Sequence, residues 1–417
     1  MKMSKRFISL VLAVLMIISL CACNQNESDE NSTTTAPQET VSADKELTLD
    51  TDVLEWVDFK KYNLDSSQKV KNVILMIGDG MGENTIKAAE IVKGDSLVMS
   101  GLPVTVKVKT NSLDGTTDSA ASSTAMSCGI KTYNKYLGVD KDSKPVETMC
   151  EFAIAKGMKT GLAVTQILPH ATPAGMVVHC DSRSMYNQIT KQMINAGVDV
   201  MLGGGSQYYT KKIESMAKKG GYTYVDTPEG LQSADKDKKL LGMFSYANII
   251  AGKTPSLATM TAKALDMLDN ENGFFLMVEG SDIDVFASKL NMEKTLNEMM
   301  SFDKSVDVAL SWAEKHPGTL VIVCADHETG GVKIPENATA KDITDSCFTS
   351  GGEHTSTNIR LMAGGAQSDK LFDSDVIENT DISKAIRRVL DESYGKKDSL
   401  LLNDTNVVGT QADSKAA

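Results

Sequence analysis

Ser119, in the run TTDSAASSTA (116–125), stands where a strand read over 105–109 passes through a turn at 111–115 into a small-residue helix over 120–128. A helix N-terminus offers free N–H groups and the positive end of the dipole, which suits a serine that must become a phosphoserine. Asp and Ser are also the preferred capping residues, so taken alone this motif reads more readily as an ordinary N-cap. Other polar clusters change that balance. GDGMG (78–82) has the glycines of a dinucleotide-binding turn, but an aspartate between the first two would repel a pyrophosphate unless a cation neutralised it, so Asp79 reads as a metal ligand. QILPHATP (166–173) carries His170 and Thr172, and HCDSR (179–183) carries Arg183, whose guanidinium can grip phosphate oxygens bidentately. VEGSDID (278–284) places three carboxylates, Glu279, Asp282 and Asp284, at the end of an apolar run, which points to metal. ADHETGG (325–331) sets Asp326 beside His327, and GGEHT (351–355) adds His354 in a glycine loop.

The elements that must position these groups alternate between strand and helix. An apolar run at 72–77 precedes a helix over 83–93. A strand at 160–165 precedes a helix over 184–196, and a strand at 274–278 precedes one over 292–315. Further buried strands are read at 198–202, 320–325 and 358–363. Such a pattern predicts an α/β protein, a doubly wound mixed sheet with helices on both faces. Open sheets of this kind bind ligands beyond the carboxyl ends of their strands, and most of the polar clusters follow such a strand.

The chain has 417 residues, 41% of them hydrophobic, enough for one large core. A net charge of -12 and the absence of a basic run exclude nucleic acid as the main partner. Lys2, Lys5 and Arg6 lead into an apolar run at 7–20 of signal-peptide length, closed by Cys21-Ala22-Cys23. That ending resembles a bacterial lipobox and predicts a signal at 1–22, export, and a lipid anchor on Cys23. A polar tether is expected over 23–52, the folded body over 53–395 and a polar tail over 396–417. Loss of Cys21 and acylation of Cys23 leave Cys128, Cys150, Cys180, Cys324 and Cys347, an odd number, so at least one thiol is unpaired. Cys324, inside an apolar run, reads as a core residue.

GDGMG, TDSAASSTA, HATPAG, HCDSR, VEGSDID, ADHETGG and GEHT occur in the order found in the alkaline phosphatase family, and the resemblance extends over about 73–363. It implies that fold, with only a small accessory insertion between His327 and His354, and hydrolysis of small phosphomonoesters. It further implies Ser119 as nucleophile and Arg183 as phosphate clamp. Asp79, Asp326 and His327 would hold the zinc that activates Ser119; Asp79, Thr172 and Glu279 would hold magnesium; Asp284 and His354 would hold a second zinc. His170 stands where family members carry an acid or a histidine near the magnesium. The family's IDxxxH pattern ends here in Ser288, so the second zinc lacks an imidazole and falls below the three protein ligands usual in a catalytic zinc site. The short insertion weakens the carry-over of the family's homodimer. Two rival readings follow: a phosphodiesterase of the same superfamily, and a phosphate- or metal-binding lipoprotein whose turnover went with the missing histidine.

Overall fold

Runs of apolar residues with no polar alternation can be satisfied only by burial on both faces, and they form the centre of a ten-stranded sheet. The computed structural model describes residues 57–250 and 252–397, which fall in one compact unit, Glu46–Ala417. The strands are Asn72–Gly78 (β1), Val104–Lys109 (β2), Lys159–Ile167 (β3), Val200–Gly204 (β4), Tyr222–Val225 (β5), Lys239–Met243 (β6), Phe274–Gly280 (β7), Thr319–Cys324 (β8), Glu328–Thr329 (β9), His354–Thr355 (β10), Ile359–Gly365 (β11) and Val376–Glu378 (β12). The α-helices described are Glu83–Lys93 (α1), Ser119–Cys128 (α2), Met149–Ala155 (α3), Ala171–Gly175 (α4), Tyr186–Asn195 (α5), Lys211–Lys219 (α6), Pro228–Gln232 (α7), Leu257–Leu268 (α8), Asp282–Ala287 (α9), Met292–Lys315 (α10) and Asn379–Tyr394 (α11).

The large sheet runs β12-β2-β11-β8-β1-β7-β3-β4-β6-β5. Every neighbouring pair is parallel except those made by β11, which is antiparallel to both β8 and β2. The carboxyl ends of all other strands therefore open on one edge. β1, β7 and β8 are buried at every residue, as their unbroken apolar sequences require. Helices flank the sheet. The longest, α10, starts on Asn291, whose side chain accepts from Lys294 N, and buries Met292, Leu296, Met299, Phe302, Val306, Leu310 and Ala313 at helical spacing.

The expected mixed α/β sheet is present, with local shifts. The helix expected over 184–196 begins at Tyr186, because Met185 keeps a non-helical backbone with ψ 50°. The strand expected over 198–202 is β4, moved two residues along. Strands β5, β6 and β12 are short, and nothing in their sequence periodicity marks them. Between His327 and His354 the chain forms β9, two 3-10 turns at Ala340–Asp342 and Asp345–Cys347, and loops, so the insertion is small. All five cysteines among the described residues are buried and free, Cys324 in the core. The expected signal and tether, and all but two residues of the tail, lie outside the described residues.

Candidate active site

The site is assembled at the carboxyl edge of the sheet. β1 delivers Asp79, β7 delivers Glu279 and, through α9, Asp284; β8 delivers Asp326 and His327, and β3 delivers His170 and Thr172. Ser119 is the first residue of α2, whose N-cap is Asp118: Asp118 Oδ1 accepts from Ala121 N at 2.9 Å. The capping reading and the functional reading of this motif therefore fall on adjacent residues. Asp118 caps, and Ser119 faces the cluster with its Oγ 3.3 Å from His327 Nε2.

Around His327 Nε2 stand three oxygens: Asp326 Oδ2 at 3.2 Å, Ser119 Oγ at 3.3 Å and Asp79 Oδ1 at 3.4 Å. One ring nitrogen carries one proton or one lone pair and cannot bond to all three. Donors about 2.0 Å from a tetrahedral ion lie about 3.3 Å from one another, so the spacing fits a zinc-sized cation. The oxygens Asp79 Oδ1 and Asp326 Oδ2 are buried without a hydrogen-bond partner among the described residues, which is costly unless a cation takes that role.

Two more donor sets adjoin this one. Asp284, His327 and His354 bring ligand atoms within 4.8 Å of one another, as do Asp79, His170 and Glu279. In the first, His354 Nδ1 donates to Thr117 O at 2.9 Å, which turns Nε2 toward Asp284 Oδ1 at 3.4 Å. In the second, both Glu279 oxygens, Thr172 Oγ1 and His170 Nδ1 are buried with no hydrogen-bond partner among the described residues, an oxygen-rich set that suits a hard cation. Asp79, Ser119, Thr172, Arg183, Glu279, Asp284, Asp326, His327 and His354 thus converge, and His170 joins the set of Asp79 and Glu279. Asp282 does not: its carboxylate turns away and accepts from Asn248 Nδ2 at 2.7 Å. Helical geometry is the reason, since Asp282 and Asp284 are two positions apart on α9 and face different ways.

The protonation of these groups reflects crowded charge in a dry place. Burial, reinforced by Asp326, pushes Glu279 up to about 8, and burial with Asp326, Asp284 and Glu279 nearby pushes Asp79 well above the carboxylate range. Burial also opposes ionisation of Asp326, but the His327 ring beside it outweighs that and holds it below its ordinary value. His354 is held up to about 9 by Asp284 despite burial, and His170 is pushed down to about 3 by burial and Arg183. Neutral His170 can therefore accept through Nε2 from Arg183 Nη2, 3.2 Å away. Arg183 Nη1 donates to Asp118 Oδ2 at 3.1 Å, fixing both ends of the guanidinium.

Two residues that the sequence reading left unassigned help shape the cluster. Thr329 Oγ1 donates to Asp284 Oδ1 at 2.5 Å and lies 3.2 Å from His327 Nδ1, coupling two donor sets. Asp118 orients Arg183 from 65 positions away; a capping aspartate has one carboxylate oxygen to spare, which is the signal that could have marked it. The glycines of GDGMG serve packing: Gly80 has φ +74°, and a Cβ there would lie 2.8 Å from Thr329 Oγ1 and 3.0 Å from Asp284. No phosphate cradle is needed to explain them.

The fold and the clustered donors define an α/β protein with adjoining donor sets suited to cations beside a serine and an arginine. The alkaline phosphatase family profile matches residues 70–347, and the chain belongs to that family. It is 39% identical over 294 residues to alkaline phosphatase 4 of Bacillus subtilis, a match covering 64% of each chain, just under two thirds of that relative's length. Against the Escherichia coli alkaline phosphatase the identity is 33% over 386 residues, covering 72% of this chain and 82% of the other. Among solved structures, the alkaline phosphatase from the Antarctic bacterium TAB5 superimposes with a TM-score of 0.71 at 30% identity, over 80% of this chain and all of that one. Metal dependence follows from the family and from the donor sets.

Proposed function

We propose that this chain hydrolyses phosphomonoesters through a phosphoserine on Ser119. One observation carries the reading: the Ser119 hydroxyl lies 3.3 Å from His327 Nε2, within the donor set of Asp79, Asp326 and His327, at the N-terminus of a helix. Asp79, Asp326 and His327 would hold one zinc, Asp284 and His354 a second, and Asp79, Thr172 and Glu279, with His170 alongside, a magnesium. Divalent cations bound there supply positive charge that favours ionised oxygen nucleophiles and offsets the phosphoryl charge.

The chain's own residues do the rest. Arg183, held by Asp118 and His170, presents its guanidinium to the phosphoryl oxygens. The first N–H groups of α2 and its dipole face the same charge. Ser119 Oγ attacks phosphorus in line and expels the alcohol on the opposite face; water then enters from the face the alcohol vacated, opposite Ser119 Oγ, releasing phosphate and returning a proton to Ser119. Two in-line displacements leave configuration at phosphorus retained. Positioning and charge compensation dominate, since this chemistry asks little of a general base.

Ser119→Ala should abolish release of phenol from an aryl phosphate while near-ultraviolet circular dichroism stays as in the wild type, because the change removes one hydroxyl and no core group. Wild-type turnover in that variant, with no phosphoserine trapped at low pH, would refute the covalent route. The same assay separates the binding-lipoprotein reading, favoured only by Ser288, which allows phosphate retention without turnover. A bis-ester substrate tests the phosphodiesterase alternative.

The 7–20 apolar run and Cys23 support a location outside the cytoplasm on a lipid anchor. Wild-type protein should sediment with membranes and Cys23→Ala should not. Recovery of cytosolic protein with residues 1–22 still attached would overturn this.

A further inference from the structure

Arg183 sits at one end of a short antiparallel ribbon whose middle is pinned by a buried ion pair outside the metal cluster. Leu137 and Cys180 exchange both backbone hydrogen bonds at 2.8 Å, and Arg183 N donates to Lys135 O at 2.9 Å. The two segments approach closely at Gly138, which has φ +60° and where a Cβ would lie 2.1 Å from Val178 O and 2.9 Å from His179 Nδ1.

His179 lies between two acceptors. Its Nδ1 is 2.6 Å from Gly138 O, and its Nε2 is 3.0 Å from Glu151 Oε1. The other Glu151 oxygen accepts from Thr148 N at 2.8 Å and Thr148 Oγ1 at 3.0 Å, so both carboxylate oxygens act as acceptors at the start of α3. A carbonyl and a carboxylate both require a donor, and only an imidazole protonated on both nitrogens supplies two. The ring is therefore an imidazolium, although its residue is only 9% exposed and Glu151 only 3%. Burial works against this charge and the Glu151 carboxylate outweighs it. The Gln192 amide of α5 clasps the His179 backbone from the other side, accepting from its N and donating to its O, both at 2.9 Å.

A buried ion pair is a poor source of net stability, because desolvation offsets its attraction; what it can provide is a fixed register between segments. We propose that His179 and Glu151 are positioning residues for the phosphate clamp. They tie the 178–183 segment to the first turn of α3, so that Arg183 meets Asp118 and His170 already oriented when a phosphoryl group arrives. The proposal rests on the reading of Arg183 as that clamp. Guanidinium recognition depends on a planar fork in the right place, and a loosened segment would lose that placement even with the arginine present.

The groups facing the pair leave the assignment of charge intact. The thiols of Cys128 and Cys150, toward Glu151, and of Cys180, on the ribbon, are all pushed up by burial and stay neutral. Arg387 and Glu147 lie beyond Cys128, paired with each other. Gln192 is neutral.

The test is inorganic phosphate affinity, measured by calorimetry on metal-loaded protein for the wild type, Arg183→Ala, His179→Asn, the double variant and Glu151→Gln. His179→Asn should weaken phosphate binding roughly tenfold, the scale of one misplaced charge-assisted contact, while leaving bound metal per chain unchanged. In the Arg183→Ala background the same change should cost nothing further, since no clamp remains to be positioned. Glu151→Gln can accept from Thr148 and donate to a neutral His179 Nε2, so it should keep phosphate affinity within about twofold, a rescue by hydrogen bonding without charge. Should His179→Asn fail to fold, Gln192→Ala carries the same test: its loss of phosphate affinity must disappear in the Arg183→Ala background. Unchanged phosphate affinity in a folded His179→Asn protein, or losses that simply add to those of Arg183→Ala, would overturn the positioning role and leave the clamp intact. An Arg183→Ala protein that binds phosphate as tightly as the wild type would instead remove the clamp itself, and this proposal with it.

Discussion

Ser288 is the residue that the resemblance, read from the sequence, sets where a zinc-ligand histidine is expected, and its placement makes that expectation testable. It closes α9, donating its N–H to Asp284 O at 2.8 Å, so it lies one helical turn beyond Asp284 on the same face. Helical spacing therefore puts residue 288 on the Asp284 side of α9, where serine offers a hydroxyl and no imidazole. On the proposed assignment, which gives a zinc there only Asp284 and His354 as ligands of its own and leaves His327 to the neighbouring set, that ion should be the more weakly held. Protein dialysed against low zinc should contain less than two zinc per chain, and Ser288→His should tighten the weak site about tenfold in metal titrations. Two equally tight zinc ions in the wild type, with no gain from Ser288→His, would mean that another side chain completes the site.

At the scale of the element, the turn between β1 and α1 decides how closely two donor sets approach. Asp79 N donates to Gly280 O at 3.1 Å and Gly80 N donates to Asp326 Oδ1 at 3.1 Å, so the turn is bonded to the ends of both neighbouring strands. Gly80 leaves room for Thr329 and Asp284 against it. Gly80→Ala would place a Cβ in a left-handed conformation and into those side chains. It should destabilise the fold by about 1–2 kcal/mol in denaturant melts and loosen zinc at Asp284, seen as faster chelation of that ion. A melt within error of the wild type, with unaltered chelation, would show that the turn adapts without disturbing the donors.

For the whole molecule, the concentration of buried carboxylates makes stability depend on bound cations and on pH together. In metal-stripped protein the folded pKa of Glu279 is raised from 4.5 to about 8, and that of Asp79 is shifted the same way. A raised folded pKa means that the contribution to stability is full below the unfolded value and is lost as pH rises through the folded one. Stripped protein should therefore lose stability between about pH 4.5 and pH 8. Bound cations replace the protons, so chelation should lower the Tm more at about pH 8 than at about pH 5, where protons compete for the carboxylates. Equal drops at both pH values would show that these carboxylates are not where metal binding and folding are coupled.

The sequence by itself determined the strands with unbroken apolar runs and the helices with clear caps and periodicity; it named the site residues through the motifs of the resemblance, with Asp79, Glu279, Asp326 and His327 at the carboxyl ends of strands and Ser119, Arg183 and His354 beyond intervening loops. It also determined the family, through seven motifs in one order. The resemblance named Asp284 and left Asp282 without a role; the tertiary structure supplies the physical reason, since a run of acids does not state which way each faces until the helix carrying them is placed. Strands β5, β6 and β12 were illegible for a related reason: short edge-side segments owe their form to neighbours and carry little periodicity of their own. The pairing of Asp118 with Arg183 and of His179 with Glu151 was likewise decided by the fold, because a hydrogen bond across 65 or 28 positions leaves no spacing in the chain and exists only once packing brings its partners together.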